Sequence, residues 1–254
     1  LPPGRARDNF IDNLAGQWAQ SDVESAVQWA SQLPEGRAKE NALQNIGPQW
    51  AQNDPKSAIT FGQSLAPGEA QNKFLRNVAN SLGSTDPGKA MEWVNQLSQG
   101  KAQDSFVEGI TSGIAQNSPS DAAEFVAKLP AGKAQESAVA TVASQWSSSD
   151  PEAAAAWVSQ FSQGPARDTA VKSVLSNWAR NDPAAAGEWL NTFPPGESHQ
   201  QAVQEYVGSI SYEYPQLAAT WVGSIQDSEQ RSSSMKTIGQ QWLEIDPVAA
   251  KAWI

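Results

Sequence analysis

A single histidine, His199, supplies the only imidazole in 254 residues, and there is no cysteine. Acid–base catalysis near neutral pH falls most naturally to an imidazole, and a Ser-His-Asp triad would have to be built on His199. No G-x-S-x-G elbow is present to carry the serine. The lack of cysteine removes disulfides, thiolate metal sites and a thiol nucleophile together. On the internal repeat set out below, His199 falls at a place held by Arg, Lys or Gln in every other repeat. An exposed helix residue is expected there, not a catalytic group.

Paired carboxylates are the next source of proton-transfer chemistry, and the chain holds 27 Asp and Glu. Their places recur. Asp22, Asp54, Asp86, Asp150, Asp182 and Asp246 share one, which reads as a helix N-cap. Asp8, Glu40, Asp104, Glu136 and Asp168 share another, in the first turn of a helix, where negative charge suits the dipole. A role repeated along the chain accounts for these carboxylates better than one active site does. No calcium loop, P-loop or dinucleotide fingerprint appears. The sequence therefore predicts no catalytic, cofactor-binding or metal-ligating residue, no cofactor and no enzyme activity.

Eleven tryptophans suggest a platform for stacking a ligand such as a carbohydrate. Trp18, Trp50, Trp146, Trp178 and Trp242 share one place, but Leu82, Ile114 and Ile210 take it in the other repeats. Exchange with aliphatic residues means that volume is wanted there, not a π-face. A core role is expected, each side chain contributing about 3–5 kcal/mol as judged by truncation.

These residues are positioned by one repeated element. "LPPGRARDNF" at Leu1 returns as "LPEGRAKENA", "LAPGEAQNKF", "LSQGKAQDSF" and "LPAGKAQESA", always 32 residues on. Repeats begin at Leu1, Leu33, Leu65, Leu97, Leu129, Phe161, Phe193 and Ile225. Ala26, Ala58, Ala90, Ala122, Ala154, Ala186, Ala218 and Ala250 form an invariant series, with an aromatic residue always three further on. Asp-Pro starts a short helix, as in "DPEAAAAWVSQ", which "LP-x-G" stops. A longer helix follows, about Arg5 to Gln20 and its equivalents. Ala38, Ala42, Leu43, Ile46 and Trp50 have helical spacing and, with Gly47 and Ala51, cover an arc of roughly 220°, wide enough for neighbours on two sides. No segment alternates like a strand. One helix pair cannot bury its own apolar faces, so a fixed period of this length predicts stacking. The expected fold is all-α: one domain over 1–254, an α-solenoid of eight 32-residue helix-turn-helix repeats. The invariant Ala marks a helix crossing too close for a larger side chain.

Two surfaces remain free in this scheme. One is the outer side of the short helix, with Gln28, Thr60, Glu92, Glu124, Glu188 and Thr220 as the candidate binding face. The other is a neutral stripe on the long helix: Asn9, Asn13, Asn41, Asn45, Asn77, Asn80, Ser112, Ser137, Thr141, Ser144, Thr169, Ser173 and Ser176. That stripe is either a lean solvated face or a surface meant for close approach. Pro48 should kink or pinch the second long helix. All three tyrosines, Tyr206, Tyr212 and Tyr214, fall in the seventh repeat, as a local contact site or as drift of the repeat. The frame opens on the first residue of a repeat and closes on "AAKAWI", so uncapped ends are expected, with Phe10, Ile11, Leu14, Trp253 and Ile254 as candidate end contacts.

Asp54-Pro55 to Phe61, and Asp150-Pro151 to Trp157, resemble the tetratricopeptide pattern, in which a Pro precedes a helix whose aromatic lies six residues on. The chain departs from that pattern in its period of 32 rather than 34, in lacking the Gly and Tyr that should follow, and in the early stop at "LP-x-G". It is similar to a short form of a tetratricopeptide-like α-solenoid. The resemblance implies a non-enzymatic scaffold that binds a protein or peptide on a concave face lined by the short helices. The alternative expectation is a building block that joins head to tail into a filament or ring. A net charge of -10 argues against nucleic acid and against an anionic membrane surface. Ala153 to Val158 is about as long as unbroken apolar runs become, so no membrane insertion is expected. The absence of cysteine fits an extracytoplasmic protein and a cytosolic repeat protein alike. The opening Leu is that of a processed product or of a segment of something longer.

Overall fold

The computed structural model describes residues 5–34 and 36–254. Residues 1–4, which hold the first turn phrase, lie outside the described residues, as do Glu35 and the side chains of Asp8 and Asn9. The described residues form sixteen α-helices and two short 3-10 turns, with no strand, and the all-α expectation is met. The long helices are α1 Arg5–Ser21, α3 Arg37–Asn53, α5 Glu69–Thr85, α7 Lys101–Asn117, α9 Lys133–Ser149, α11 Pro165–Asn181, α13 Glu197–Ile210 and α15 Ser228–Ile245. The short ones are α2 Val23–Ser31, α4 Pro55–Ser64, α6 Ala90–Val94, α8 Pro119–Ala127, α10 Pro151–Val158, α12 Pro183–Leu190, α14 Pro215–Trp221 and α16 Pro247–Trp253. No helix among the described residues is long and apolar enough to cross a membrane.

The chain divides into two compact units, residues 1–142 and 143–254. In the first, the long helices α1, α3, α5 and α7 pack in sequence order, α2 lies against α1 and α3, and α4 against α3 and α5. In the second, α11 packs on α13, α12 lies against both, and α14 lies against α13 and α15. Within each unit these helices thus contact their neighbours in sequence, the packing of a helical-repeat solenoid.

Local chemistry sets the helix starts. Asp22, Asp54, Asp150, Asp182 and Asp246 each accept a backbone N–H from the first turn of the short helix, at 2.9–3.1 Å. Ser118 does the same for α8. The Ser25 side chain and then its backbone N–H hold the Asp22 carboxyl below the usual range, and Ser57 does so for Asp54. The third repeat differs. Asp86 makes no cap; its carboxylate pairs with Lys89 at 3.0 Å, and the helix opens with a 3-10 turn over Pro87–Lys89. Gly88 in that turn is a poor helix former.

The turn phrase works differently from its sequence reading. Its glycine does not end the short helix. Gly36 and Gly100 are the N-caps of α3 and α7, with φ near 140° and 141°, a region only glycine enters freely. The short helix has already ended in ordinary helical geometry, at Gln32 or Lys128 for example. The eighth repeat has no glycine there, and Asp227 caps α15 by accepting from Gln230 N–H.

The invariant Ala series is buried in all eight repeats. Where Trp holds the Trp18 place it forms a tilted aromatic couple with the aromatic of its own short helix: Trp18–Trp29, Trp50–Phe61, Trp146–Trp157, Trp178–Trp189 and Trp242–Trp253, with centroids 5.1–6.0 Å apart. Leu82, Ile114 and Ile210 are buried at the same place. The tightest packing joins α5 to α7. A Cβ on Gly113 would lie 2.9 Å from both Asn80 C and Ser84 N, and one on Gly109 would lie 2.8 Å from Ala79 Cβ. α3 continues as a helix through Pro48, whose carbonyl accepts from Ser81 Oγ at 3.0 Å.

Candidate functional site

The short helix buries its invariant Ala, and the residue two places on lies about 200° around the axis, on the outer side. Gln28, Thr60, Glu92 and Glu124 are accordingly exposed in the first unit, and Glu188 and Thr220 in the second. The six lie on six different helices, so each unit shows a series of single outward side chains, not a cluster. The two threonines bend back on their own helices, Thr60 Oγ1 donating to Lys56 O at 2.8 Å and Thr220 Oγ1 to Leu217 O at 2.7 Å.

A second feature sits at the turns. The last carbonyls of a short helix lack their ordinary α-helical partners, and from the backbone Gly62, Val94 and Val126 O accept only the N–H three residues on or that of the cap. Gln71, Gln103 and Gln135, early in the following long helix, reach back to them. Gln103 Nε2 donates to Val94 O and Leu97 O at 3.3 and 3.1 Å, and Gln135 Nε2 to Val126 O and Leu129 O at 3.2 and 3.1 Å. Gln71 makes the equivalent bonds to Gly62 O and Leu65 O. Arg231 serves the eighth repeat through Ile225 O at 2.8 Å. His199 occupies this place in the seventh. It is half-buried rather than exposed, in a small cleft with Arg167, Asp168, Phe193 and Ser198. Arg167 at the same place in the sixth repeat stands over the Phe193 ring, 5.3 Å from its centroid.

Between the third and fourth turn phrases the first unit opens a groove of about 700 Å³. Gln63, Asn72 and Gln99 give it side-chain amides, Glu69 and Lys101 give it one charge of each sign, and Gly68 and Gly100 form its backbone walls. Gln63 Nε2 also donates to Gln96 O at 3.0 Å, bridging the two repeats. Thr60 and Glu92 do not line it. Sequence reasoning missed this groove. The signal was the recurring L-x-x-G phrase itself, which was assigned only to helix termination.

Part of the neutral stripe turns toward the next long helix. Asn80 faces Gly113 across the α5–α7 contact, and Asn117 Nδ2 donates to Ser84 O at 2.9 Å. In the second unit Asn177 Nδ2 donates to Ser144 O and Ser147 Oγ, both at 2.9 Å. Of the remainder whose side chains are described, Asn13, Asn45, Ser137 and Thr169 are exposed, and Asn41, Asn77, Ser112, Thr141, Ser173 and Ser176 are half-buried. The three tyrosines do not share one environment. Tyr206 is fully buried, donating to Pro183 O at 2.6 Å; Tyr214 is half-buried and makes no cap; Tyr212 is exposed.

Of the expected end contacts, Phe10 and Ile254 are exposed, and Leu14 and Trp253 are half-buried. Ile11 is a correction: on α1, which packs against α2 and α3, it is buried. Among the described residues no three His, Asp or Glu come together as a metal site would require. Compared with protein-family models, curated proteins and solved structures, the chain has no match.

Proposed function

We propose that the chain is a non-enzymatic scaffold of the tetratricopeptide-like kind, which binds an extended protein or peptide segment. The observation that carries this reading is the groove between the third and fourth turn phrases. Its volume is within the range of ligand sites. A bound peptide must replace the water on its own N–H and C=O groups. Side-chain amides serve both, since each offers a donor and an acceptor. Gln63, Asn72 and Gln99 supply them, and the exposed Thr60 and Glu92 on the nearby short helices extend the polar surface. The net charge of -10 favours a cationic partner over nucleic acid.

A displayed library of random short peptides, panned on the immobilised chain, tests the reading. The expected result is a consensus whose affinity falls at least about tenfold in a Gln63→Ala, Asn72→Ala variant. No consensus, or one indifferent to that variant and to Thr60→Arg with Glu92→Arg, would overturn it.

A further inference from the structure

α11 is the most cationic helix of the chain. It holds Arg167, Lys172 and Arg180 against one carboxylate, Asp168, and in no other described helix do Lys and Arg exceed the carboxylates by two. Lys172, Ser176 and Arg180 are spaced by four and share one face, with the two charges two turns apart, about 12 Å along the axis. Arg180 leans back along that face, its Nη2 donating to Ser176 Oγ at 3.4 Å. Long helical side chains lean this way as a rule, so Lys172 leaning likewise keeps the spacing. α11 packs on α13, and between them the second unit opens a groove of about 460 Å³. Lys172, Ser176 and Arg180 line one wall; Gln204, Glu205 and Gly208 line the other. Gly208 leaves that second wall open, since nothing lies within 4 Å of where its Cβ would be.

The third and fourth repeats show what these cations lack. Arg76 has the Lys172 place and Glu108 the Gln204 place, and the two pair at 3.3 Å. In the groove the carboxylate has become an amide, while the cation keeps its charge. Arg180 is the only cation at its place, where the other repeats have Gln, Ser, Tyr or Glu. Among the described residues neither Lys172 nor Arg180 has a carboxylate within ion-pair distance. The chain carries 27 Asp and Glu against 17 Lys and Arg, so carboxylates to pair them are in excess. Two cations left unpaired along one groove of such a chain are free for a ligand.

We propose that this groove binds an extended acidic segment of a partner protein, with two carboxylates four residues apart, one on Lys172 and one on Arg180. In an extended chain residues i, i+2 and i+4 point the same way, and i to i+4 spans about 13 Å, which matches the spacing of the cations. The central residue then lies over Ser176. The segment's backbone comes close to α13 at Gly208, where no side chain intervenes, and the Gln204 amide offers it a donor and an acceptor. Contact is governed by the charge in the groove rather than by the net charge of -10, because screening sets in within about 8 Å at physiological salt. Glu205, the one carboxylate lining the groove, disfavours a segment that is acidic throughout.

Chemical-shift titration of the ¹⁵N-labelled chain with the peptide acetyl-Glu-Ser-Gly-Ser-Glu-amide, at about 50 mM salt, reads the second unit alone. The amide signals of Lys172, Ser176, Arg180 and Gly208 should move, with a Kd below about 1 mM. Lys172→Gln and Arg180→Gln should each weaken binding about fivefold or more, and Glu205→Gln should strengthen it about threefold. None of the three loses an ion pair, Arg180 is exposed and the others are half-buried, so all should fold; a gain from Glu205→Gln is also a sign that unfolding cannot produce. The same peptide with Gln at both Glu positions should bind about tenfold more weakly or worse. Signals that stay in place, substitutions that leave the affinity unchanged, or equal binding of the Gln peptide would overturn the proposal. So would inorganic phosphate that displaces the peptide at equal concentration, which marks a site for one small anion.

Discussion

Replacing Gly113 by Ala sets two known effects against each other. In an exposed helix interior the change stabilises by about 1 kcal/mol, because glycine has the greater backbone entropy to lose. At Gly113 the new Cβ would sit 2.9 Å from Asn80 C and Ser84 N, which belong to the backbone of α5. Carbon contacts settle near 3.5–4.0 Å, so α5 and α7 must part by about 1 Å. That stretches the Asn117 Nδ2 bond to Ser84 O, now 2.9 Å, and the Arg76–Glu108 pair, now 3.3 Å. Overpacking against backbone costs about 3 kcal/mol, the upper part of its usual range, because no rotamer can relieve it. The net loss is about 2 kcal/mol, a fall in Tm of about 4–8 °C for a chain of this size. Gly208→Ala is the control. It is also helical, but nothing lies within 4 Å of its Cβ position, so it should raise Tm by about 1–4 °C. Thermal unfolding followed by circular dichroism at the helix band gives both. The reasoning fails if Gly113→Ala matches or exceeds the unaltered chain, or if the two substitutions act with the same sign.

Other consequences can be measured in the same way. Asp150→Ala should cost about 1 kcal/mol by removing the cap on Ala153 N–H, whereas Asp86→Ala, which loses only an exposed ion pair, should cost less than about half of that. Gln135→Met keeps the volume but strands Leu129 O, leaving Val126 O only its backbone partner from Leu129 N–H, and should lower stability by about 1–3 kcal/mol in urea unfolding. Burial, with the Asp182 carboxylate adding to it, pushes the Tyr206 phenol up to about 12 from its ordinary 10.0. The unfolded chain then releases that proton first, so stability is complete below pH 10, falls as pH rises toward 12, and loses this part of its pH dependence in Tyr206→Phe. Equal alkaline sensitivity in the two proteins would refute the assignment.

What the sequence made legible was whatever recurs. The Asp-Pro starts, the invariant Ala and the helix alternation each appear in nearly every repeat, so repeats compared with one another take the place of homologues. Their physical causes are also local: a cap acts three residues on, and a Pro acts on its own turn. The glycine of the turn phrase was assigned to the wrong helix because spacing places it between two, and only the sign of φ, positive at Gly36 and Gly100, decides which it serves. Gln71, Gln103 and Gln135 passed for ordinary surface residues because their carbonyl partners lie six to nine residues back, across a turn whose path periodicity does not give.

The contacts between repeats were hidden for a different reason. Gly47 and Phe74 are 27 residues apart and sit at different places of the repeat, so aligning like with like never sets them side by side. Their relation appears only once the stacking register is known: Phe74 and Phe106 follow the small Gly47 and Ala79, the larger Thr111, Leu175 and Val207 are followed by Ala138, Ala202 and Ser234, and Ala15 and Ala143 are followed by Ala42 and Ala170. Identity among repeats reports the fold, since every copy must make the same helix pair. Departures from identity report what each copy touches. Those departures include the close α5–α7 approach through Gly83, Gly109 and Gly113 and the amide-lined groove beside Gln63 and Asn72. A solenoid's specificity therefore has to be sought in the places where its repeat is least regular, since a perfectly regular array would offer every partner the same surface eight times.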